Sequence, residues 1–345
     1  MKTSTNTTSK VSIIIPIWNS KIWLVGCLEG LRQQTYQNFR TLLVDNGSTD
    51  DSATLIQTYY PHVDLIRLPK NLGFASAVNI GIQRSRTDYI ALLNIDTLPH
   101  RKWLETLINR LDNSPPDVGA ITSKMLLMAN PTRIDDTGDN LSWYGSAMKR
   151  GYGQIASDYA KVDEIFSPCA GATLYRHGFF DHVGLFDERF DSYLEDVELG
   201  LRGRLCGYRY LYEPSAQILH HGHSAGVVGG RYVRLMTRNR LLIMLKNIPT
   251  QLLLRHGWQL LYGQLYFFLA YKRPLDSLYG YAMFLAQLPH LCRSRRNILP
   301  QRTIPLEQLD RLLTKELGEP SLREIIGQKI IGQKTKGRHL CLPNS

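Results

Sequence analysis

The sequence predicts an α/β fold built on a mostly parallel, doubly wound sheet with helices on both faces. Short runs of β-branched and other apolar residues, typical of buried strands, alternate with segments whose apolar residues recur at helical spacing. Polar residues follow directly after several of the strand-like runs, and sheets of this kind bind ligands at the carboxyl ends of their strands. We therefore expect a ligand site along that edge.

The first part of the chain contains four predicted strands and three predicted helices. The strands are expected at 11–17, 39–45, 63–69 and 88–94, and the helices at 21–34, after the turn at 45–48, and at 73–85. The apolar residues with helical spacing in the first helix are Ile22, Val25, Leu28 and Leu31.

The second part, 119–230, is rich in glycine and aromatic residues. A helix is expected within 185–208, with Val197, Leu201 and Leu205 on its apolar face, then a strand at 207–214 and a loop at 220–230. Four regions follow: a polar tail (1–10), a first half of the α/β part (11–118), a second half (119–230) and a basic, amphipathic helical extension (231–345).

Charge is distributed unevenly along the chain. The net charge is +11, but residues from 231 onward carry 19 Lys and Arg against 6 Asp and Glu, so the rest of the chain is slightly acidic. A basic tail suits either nucleic acid or an anionic membrane surface. The tail's apolar runs are shorter than the roughly 20 residues of a spanning helix and favour interfacial amphipathic helices. No nucleic-acid-binding motif occurs, and the N-terminus lacks the apolar core of a signal peptide.

Several strand ends present polar groups that could bind a ligand. Asp45 could accept hydrogen bonds from a base or ribose, or simply close an Asp-Asn-Gly turn. Asn71, Gly73 and Ala75 open a helix whose N-terminus would favour phosphate. Asn94 and Asp96, on one face of an alternating strand, could hold a divalent cation or form a turn before Pro99.

Two later clusters also suggest chemistry. Glu195 and Asp196 begin a helix, where acids are favoured by the dipole, but a carboxylate beside other carboxylates also has a raised pKa that suits a general base. His220, His221 and His223 form a dense imidazole group that could supply a metal ligand. The five cysteines include no CxxC pair, which favours free thiols in a reducing compartment.

Six segments, in order, resemble the inverting glycosyltransferases of family two, and most closely the rhamnosyltransferase-like branch that builds bacterial cell-surface polysaccharides. They are VSIIIPIWN, LLVDNGSTDDS, NLGFASAVNIGI, IALLNIDT, GATLYRHGFFDHVGLFDERFDSYLEDVELGLR and ILHHGHSAG. The resemblance implies the GT-A fold, a nucleoside-diphosphate sugar donor, and Mg²⁺ or Mn²⁺. It also implies that 11–118 is the nucleotide-sugar-binding half of the GT-A domain and 119–230 its acceptor-binding and catalytic half.

The resemblance also implies a role for each matching residue. Asp196, beside Glu195, would be the catalytic base on a helix supported by Arg202, whereas Asp96 and His220 would bind the metal. The residues expected to line the nucleotide-sugar pocket are Pro16, Trp18, Asn19, Asp45, Asn71, Gly73, Ala75 and Asn94. Trp18 replaces the family's usual tyrosine, Asn94 replaces an aspartate, and Ile95 replaces a proline common in the branch.

Processive members of the family carry a QxxRW motif and membrane-spanning helices, and neither is found here. The resemblance therefore implies single addition of a sugar, with rhamnose as one candidate, to an oligosaccharide or lipid-linked glycan acceptor. The protein would be cytoplasmic and peripheral at the inner face of the plasma membrane. Two alternatives stay open at this point: a degenerate transferase that binds nucleotide sugar without turnover, and a basic nucleic-acid-associated protein.

Overall fold

The computed structural model describes residues 9–222 and 229–318. The strands are β1 (Val11–Ile17), β2 (Phe39–Asp45), β3 (Asp64–Arg67), β4 (Tyr89–Leu93), β5 (Thr97–Pro99), β6 (Val118–Leu127), β7 (Asn130–Asp136), β8 (Asp139–Leu141), β9 (Ala147–Lys149), β10 (Asp163–Ile165), β11 (Ala172–Arg176) and β12 (Arg209–His220).

The helices alternate with strands in the first part of the chain and follow one another in the last part. They are α1 (Lys21–Arg32), α2 (Ser52–Tyr59), α3 (Phe74–Arg84), α4 (Trp103–Asp112), α5 (His177–Val183), α6 (Glu195–Leu205), α7 (Gly230–Asn247), α8 (Thr250–Arg255), α9 (Gly257–Ala270), α10 (Pro274–Leu285), α11 (Leu288–Ile298) and α12 (Leu306–Leu312).

Ten of these strands form one mixed sheet with the order β10-β12-β6-β11-β4-β1-β2-β3. The first four strands are parallel, β11 runs antiparallel between β4 and β6, and β6 and β12 are parallel. β5 pairs with the end of β12, and β7 pairs with the end of β6. The carboxyl ends of β1, β2 and β4 therefore lie at the same edge as the end of β12.

The four predicted N-terminal strands are present, and two of the four apolar residues with helical spacing in the first helix, Leu28 and Leu31, are buried. Leu24, Cys27, Leu28 and Leu31 face the core, whereas Ile22 is 77% and Val25 51% exposed. Helical spacing allows two overlapping apolar faces here, and packing against the sheet selects the one that includes Leu24 and Cys27.

The strand predicted at 207–214 is longer than expected and runs to His220. Its second half pairs with β6 and β5, partners that are remote in sequence. In α6, the predicted apolar face is confirmed, because Val197, Leu201 and Leu205 are all buried. The predicted boundary at 118/119 falls at the start of β6, and both sides of it contribute strands to the same sheet.

Helices α7 to α12 form the predicted helical extension. A separate apolar core joins them to α6; its largest buried side chains include Phe190, Tyr232, Met236 and Phe284. Among the described residues, no helix combines the length and the apolar character needed to cross a membrane.

Candidate active site

Asp45 ends β2 at the carboxyl edge of the sheet and is almost fully buried. Its Oδ1 accepts a hydrogen bond from the Ser48 amide at 2.9 Å, which closes the predicted turn. Its Oδ2 lies 3.6 Å from Nε of Arg67. The turn and a ligand contact are therefore compatible, because they use different oxygens of one carboxylate.

Asn19 joins the end of β1 to the turn after β2. Its Oδ1 accepts hydrogen bonds from the amides of Thr49 at 2.8 Å and Asp50 at 3.4 Å, and its own φ of 48° is left-handed. Trp18 next to it is 52% exposed, as an aromatic wall of an open pocket would be, and Pro16 lies in β1 nearby. The oxygen of Asn19 is thus occupied by the protein, while contact with a nucleotide stays a prediction.

The turn at 71–75 is held by hydrogen bonds within the protein. The amides of Leu72 and Gly73 donate to the side chains of Asn46 and Asn71, and the Phe74 amide donates to the Asp191 carbonyl. These three amides are therefore used within the protein, and a phosphate contact at the following amides of the α3 N-terminus stays a prediction. Gly73 has a φ of 87°, and a Cβ there would lie 2.6 Å from the Asp191 carboxylate, so this position requires glycine.

Asn94 and Asp96 do not belong to a strand, so the argument from strand alternation is wrong. β4 ends at Leu93, and residues 94–96 form a turn that leads into β5. The Asn94 amide donates to the Gly171 carbonyl at 2.9 Å, and the Asp96 carbonyl accepts from the His221 amide at 3.0 Å. This turn, rather than the strand pleat, places Asp96 at the site.

His220 lies between two buried carboxylates. Its Nε2 is 3.3 Å from Oδ2 of Asp96, and its Nδ1 is 2.7 Å from Oδ2 of Asp135. Burial disfavours the imidazolium, but the hydrogen bonds to Asp135 and Asp96 outweigh it and raise the pKa of His220 to about 9. His221 contacts Trp23 instead, with ring centroids 4.2 Å apart, and His223 lies outside the described residues.

The Asp96–His220 pair fits a divalent cation. Two neighbouring ligands of an octahedral ion with bonds of about 2.1 Å lie about 3 Å apart, close to the observed separation of Oδ2 and Nε2. The bond from Asp135 fixes the other imidazole nitrogen, which is how carboxylates commonly orient a metal-binding histidine.

Sequence reasoning missed the contribution of β7, β8 and β9 to this site. Lys149 in β9 donates to both oxygens of Asp135, at 3.2 and 3.1 Å, and the adjacent Asp136 and the nearby Asp139 are also buried. The sequence signal that could have identified them is the stretch IDDTGD, which has three aspartates within five residues. Its apolar residues show neither helical nor strand spacing.

The residues before Glu195 and Asp196 are strained. Asp191, Tyr193 and Leu194 have φ values of 63°, 72° and 67°, a left-handed conformation that is costly for residues with side chains. Such strain is concentrated at functional sites, and here it determines how the two carboxylates enter α6.

Asp196 is oriented by backbone amides. Its Oδ2 accepts from Ala170 at 3.1 Å and its Oδ1 from Val197 at 2.9 Å. Burial raises its pKa against the opposing effect of these amides. Burial, together with the charge of Asp196, holds the pKa of Glu195 well above its usual range. Because Gly171 also bonds to Asn94, residues 170–171 connect the base candidate to the metal-site turn.

Arg202 supports α6 as predicted. Its Nε donates to both oxygens of Glu198 one turn earlier, at 2.9 and 3.0 Å, and its terminal nitrogens donate to the carbonyls of Val183 and Leu185. Lys246 of α7 contacts the same Glu198 at 2.8 Å, so the helical extension is tied to the helix that carries Asp196.

The strained turn is also held from α7. Asn239 is fully buried, and its Nδ2 donates to the carbonyls of Phe190, Ser192 and Tyr193 at 3.0, 3.0 and 2.7 Å. The extension therefore holds the turn that precedes Glu195 and Asp196.

Comparison with known proteins identifies a family domain in this chain. Residues 12–183 match the family model for glycosyl transferase family 2. The glycosyltransferase GlyG of Streptococcus pneumoniae is 29% identical over 137 residues, 39% of this chain and 43% of GlyG. An N-acetylglucosaminyl-diphospho-decaprenol L-rhamnosyltransferase of Mycobacterium tuberculosis is 28% identical over 226 residues, 58% of this chain and 72% of that protein. The chain thus spans less than half of GlyG.

The structural comparison bears on the fold alone. The crystal structure of GalNAc-T7 with UDP, GalNAc and Mn²⁺ has a TM-score of 0.53 and 15% identity, covering 73% of this chain and 55% of that chain. The predicted GT-A fold is confirmed.

Proposed function

Because this chain contains a glycosyl transferase family 2 domain, we propose that it transfers a sugar from a nucleoside-diphosphate donor to a hydroxyl group of a glycan acceptor, with inversion at the anomeric carbon. The observation that carries this proposal is one buried, oriented carboxylate, Asp196, connected through residues 170–171 to the turn that holds the Asp96–His220 pair.

In the proposed reaction, the acceptor hydroxyl attacks the anomeric carbon from the face opposite the diphosphate, so the configuration inverts. Asp196 accepts the hydroxyl proton, and its raised pKa makes it a better base than an exposed aspartate. The amides of Ala170 and Val197 keep its carboxylate in one orientation. Asp45 and Trp18 would contact the base of the nucleotide.

Asp96 and His220 would hold a divalent cation, Mg²⁺ or Mn²⁺. When bound, the cation supplies Lewis-acid stabilisation of the negative charge on the diphosphate. Asp135 and Lys149 keep His220 in place through their own ion pair.

We propose a lipid-linked acceptor at an anionic membrane surface, the inner face of the plasma membrane. α9 contains no charged residue, yet Trp258, Leu261 and Leu265 on its outer side are 62%, 72% and 54% exposed. The exposed apolar side chains of α8, α9 and α10, here called the apolar face, are Leu254, Trp258, Leu261, Tyr262, Leu265, Leu269, Leu275, Leu278, Tyr279 and Leu285.

Cations flank the apolar face, which supports a bilayer as its partner. Lys272 and Arg273 lie between α9 and α10, and Arg293 and Arg296 follow in α11, all four exposed. Apolar side chains beside lysine and arginine are what an anionic bilayer surface binds. The diphospho-decaprenol in the name of the mycobacterial relative agrees with a lipid-linked acceptor.

A nucleotide-sugar screen tests the proposed function. The protein is mixed with Mn²⁺ and pairs of nucleotide sugars and their nucleoside diphosphates, and thermal unfolding is followed. A bound donor at a hundredfold excess over Kd should stabilise the protein by about 2.7 kcal/mol. Donors that stabilise the protein are then incubated with a polyprenyl-diphosphate glycan. Mass spectrometry of the lipid should show the added sugar, and NMR of the product should show the inverted anomeric configuration. Stabilisation without transfer to any glycan acceptor would contradict the proposal.

A further inference from the structure

Asp136 and Asp139 form a buried carboxyl pair that the proposed mechanism does not use. One oxygen of each, together with Sγ of Cys169, lies within 4.8 Å of the others. Asp136 is 1% and Asp139 8% exposed. Oδ1 of Asp136 accepts from the Gly138 amide at 2.6 Å, whereas within residues 9–222 and 229–318 no donor reaches its Oδ2. A buried carboxyl oxygen without a donor is costly, so this atom is suited to a ligand.

The pair lies next to the proposed base. The backbone of Asp139 pairs with that of Ser167, with N–O distances of 2.8 and 3.2 Å. Three residues later, the Ala170 amide donates to Asp196. One short segment therefore contacts both the carboxyl pair and the base, and the charge of Asp196 contributes to raising the pKa of both Asp136 and Asp139.

The chemistry of the pair favours hydroxyl groups over a second cation. Burial raises the pKa of the Cys169 thiol well above its usual range, and a protonated thiol is a poor ligand for a hard ion. The ammonium of Lys149 is close enough to act on both carboxyls, and it would repel a further cation.

Burial also raises the pKa of Asp136 to about 7 and that of Asp139 well above its usual value. The pair can therefore offer an O–H donor as well as carboxylate acceptors. A sugar hydroxyl donates one hydrogen bond and accepts others, which matches such a pair.

We propose that Asp136 and Asp139 form a hydroxyl-binding subsite for a sugar ring beside Asp196, an inference that rests on the proposed transfer function. The sugar belongs either to the donor or to the acceptor, and both present the same hydroxyl chemistry.

The experiment compares Asp136→Asn and Asp139→Asn, which keep the shape of each side chain, with Asp158→Asn. Asp158 is an exposed aspartate of the same region of the chain and serves as the matched control. Calorimetry measures binding of UDP and UDP-N-acetylglucosamine, and of dTDP and dTDP-rhamnose, all with Mn²⁺. Saturation-transfer NMR measures binding of methyl rhamnoside and methyl N-acetylglucosaminide. Binding of the nucleoside diphosphate shows that each variant is folded.

If the subsite holds the donor sugar, both variants should lose about tenfold in affinity for the nucleotide sugar while keeping their affinity for the nucleoside diphosphate. If it holds the acceptor sugar, donor affinity should stay unchanged and the methyl glycoside signal should be lost. Either result supports the subsite, even if no transfer product forms. Absence of a transfer product would count against the proposed function only.

Three results would overturn the proposal. The first is that both variants bind the sugars as tightly as Asp158→Asn does, and the second is that the unmodified protein binds no sugar. The third is a second bound Mn²⁺, detected by electron paramagnetic resonance titration, that both variants lose, because the pair would then be a cation site.

Discussion

At the scale of single residues, the site depends on how each titratable group is held by its neighbours. His220 is held by Asp135 on one side and faces Asp96 on the other. Asp196 is held by two backbone amides. In His220 the bond from Asp135 fixes one ring nitrogen and leaves the other facing Asp96, whereas in Asp196 each carboxylate oxygen accepts one amide.

Asp196→Asn removes the proposed base while keeping the side-chain shape. General-base catalysis typically contributes about 10²- to 10⁴-fold, so turnover should fall by that range. Affinity for the nucleotide sugar should stay close to that of the unmodified protein, since the donor is held elsewhere. Turnover is measured by product formation and affinity by calorimetry. Full turnover in this variant would refute the assignment of the base.

Asp135→Asn tests whether Asp135 positions His220. An amide in place of the carboxylate weakens the hold on Nδ1 and leaves Lys149 without its partner. Loss of such an orienting carboxylate typically costs 10- to 100-fold in metal affinity, so Mn²⁺ binding should weaken by about that factor. Paramagnetic resonance titration of the protein without substrate measures it, with Asp158→Asn as control. Unchanged Mn²⁺ affinity in Asp135→Asn would show that Asp135 does not position His220 for metal binding.

At the scale of elements, α7 determines the shape of the turn that precedes α6. Three left-handed residues lie in this turn, and Nδ2 of Asn239 donates to the carbonyls of Phe190, Ser192 and Tyr193. A strained turn persists when contacts from the surrounding residues hold it in place. The helical extension therefore helps to hold the turn that precedes the proposed base, Asp196.

Asn239→Ala should release this turn. We expect a loss of about 1–3 kcal/mol in unfolding free energy, because the carbonyls of Ser192 and Tyr193 lose a donor while that of Phe190 keeps Arg238, and a turnover at least tenfold lower because Asp196 is misplaced. Asn247→Ala is the matched control: Asn247 is equally buried in the same helix, but it donates to a carbonyl of α7 itself. Urea unfolding and turnover are measured for both. Similar turnover in the two variants would refute the link between α7 and the site.

At the scale of the whole molecule, buried ion pairs join the extension to the α/β part. Lys246 of α7 contacts Asp187 at 2.5 Å and Glu198 at 2.8 Å. Burial alone would raise the pKa of Asp187, but Lys246 and Arg189 outweigh it and hold that pKa below its usual range.

Acid should therefore weaken the whole fold. Because the pKa of Asp187 is lower in the folded than in the unfolded state, its contribution is present above about pH 4 and is lost as the pH falls through the folded value. Between pH 7 and pH 2.5, the free energy of unfolding measured with urea should fall by about 2 kcal/mol more in the unmodified protein than in Asp187→Asn, which keeps the loss that comes from other carboxylates such as Asp135. Asp51→Asn, which breaks an exposed pair with Lys21, should keep the loss. Equal pH dependence in all three proteins would contradict this account.

The apolar face makes a second prediction at this scale. The protein should sediment with vesicles that contain phosphatidylglycerol, and less with phosphatidylcholine alone. The double variant Leu261→Ser and Leu265→Ser should bind at least tenfold more weakly, because two exposed leucines no longer enter the bilayer. Ile22→Ser with Val25→Ser, on the equally exposed side of α1, is the matched control. Equal binding by both double variants would refute the proposed surface.

The sequence could predict the features that depend on local patterns. The four N-terminal strands, the helix at Glu195–Leu205 with its apolar face, and the helical character after residue 231 all appear where expected. Each is determined by the spacing of apolar residues within a short window, which is the information that one sequence carries. The order of the six family segments likewise predicted the GT-A fold and the positions worth testing.

Only the tertiary structure decided which side chains meet. Strand β12 continues to His220 because β5 and β6 offer it partners, and that extension brings His220 to Asp96. The positions of Asp135, Asp136 and Asp139 depend on the docking of β7 and β8, and the hold on the turn before Asp196 depends on Asn239, far along the chain. Such contacts join residues with no local periodic relation, so spacing along the sequence does not determine them, whereas packing does.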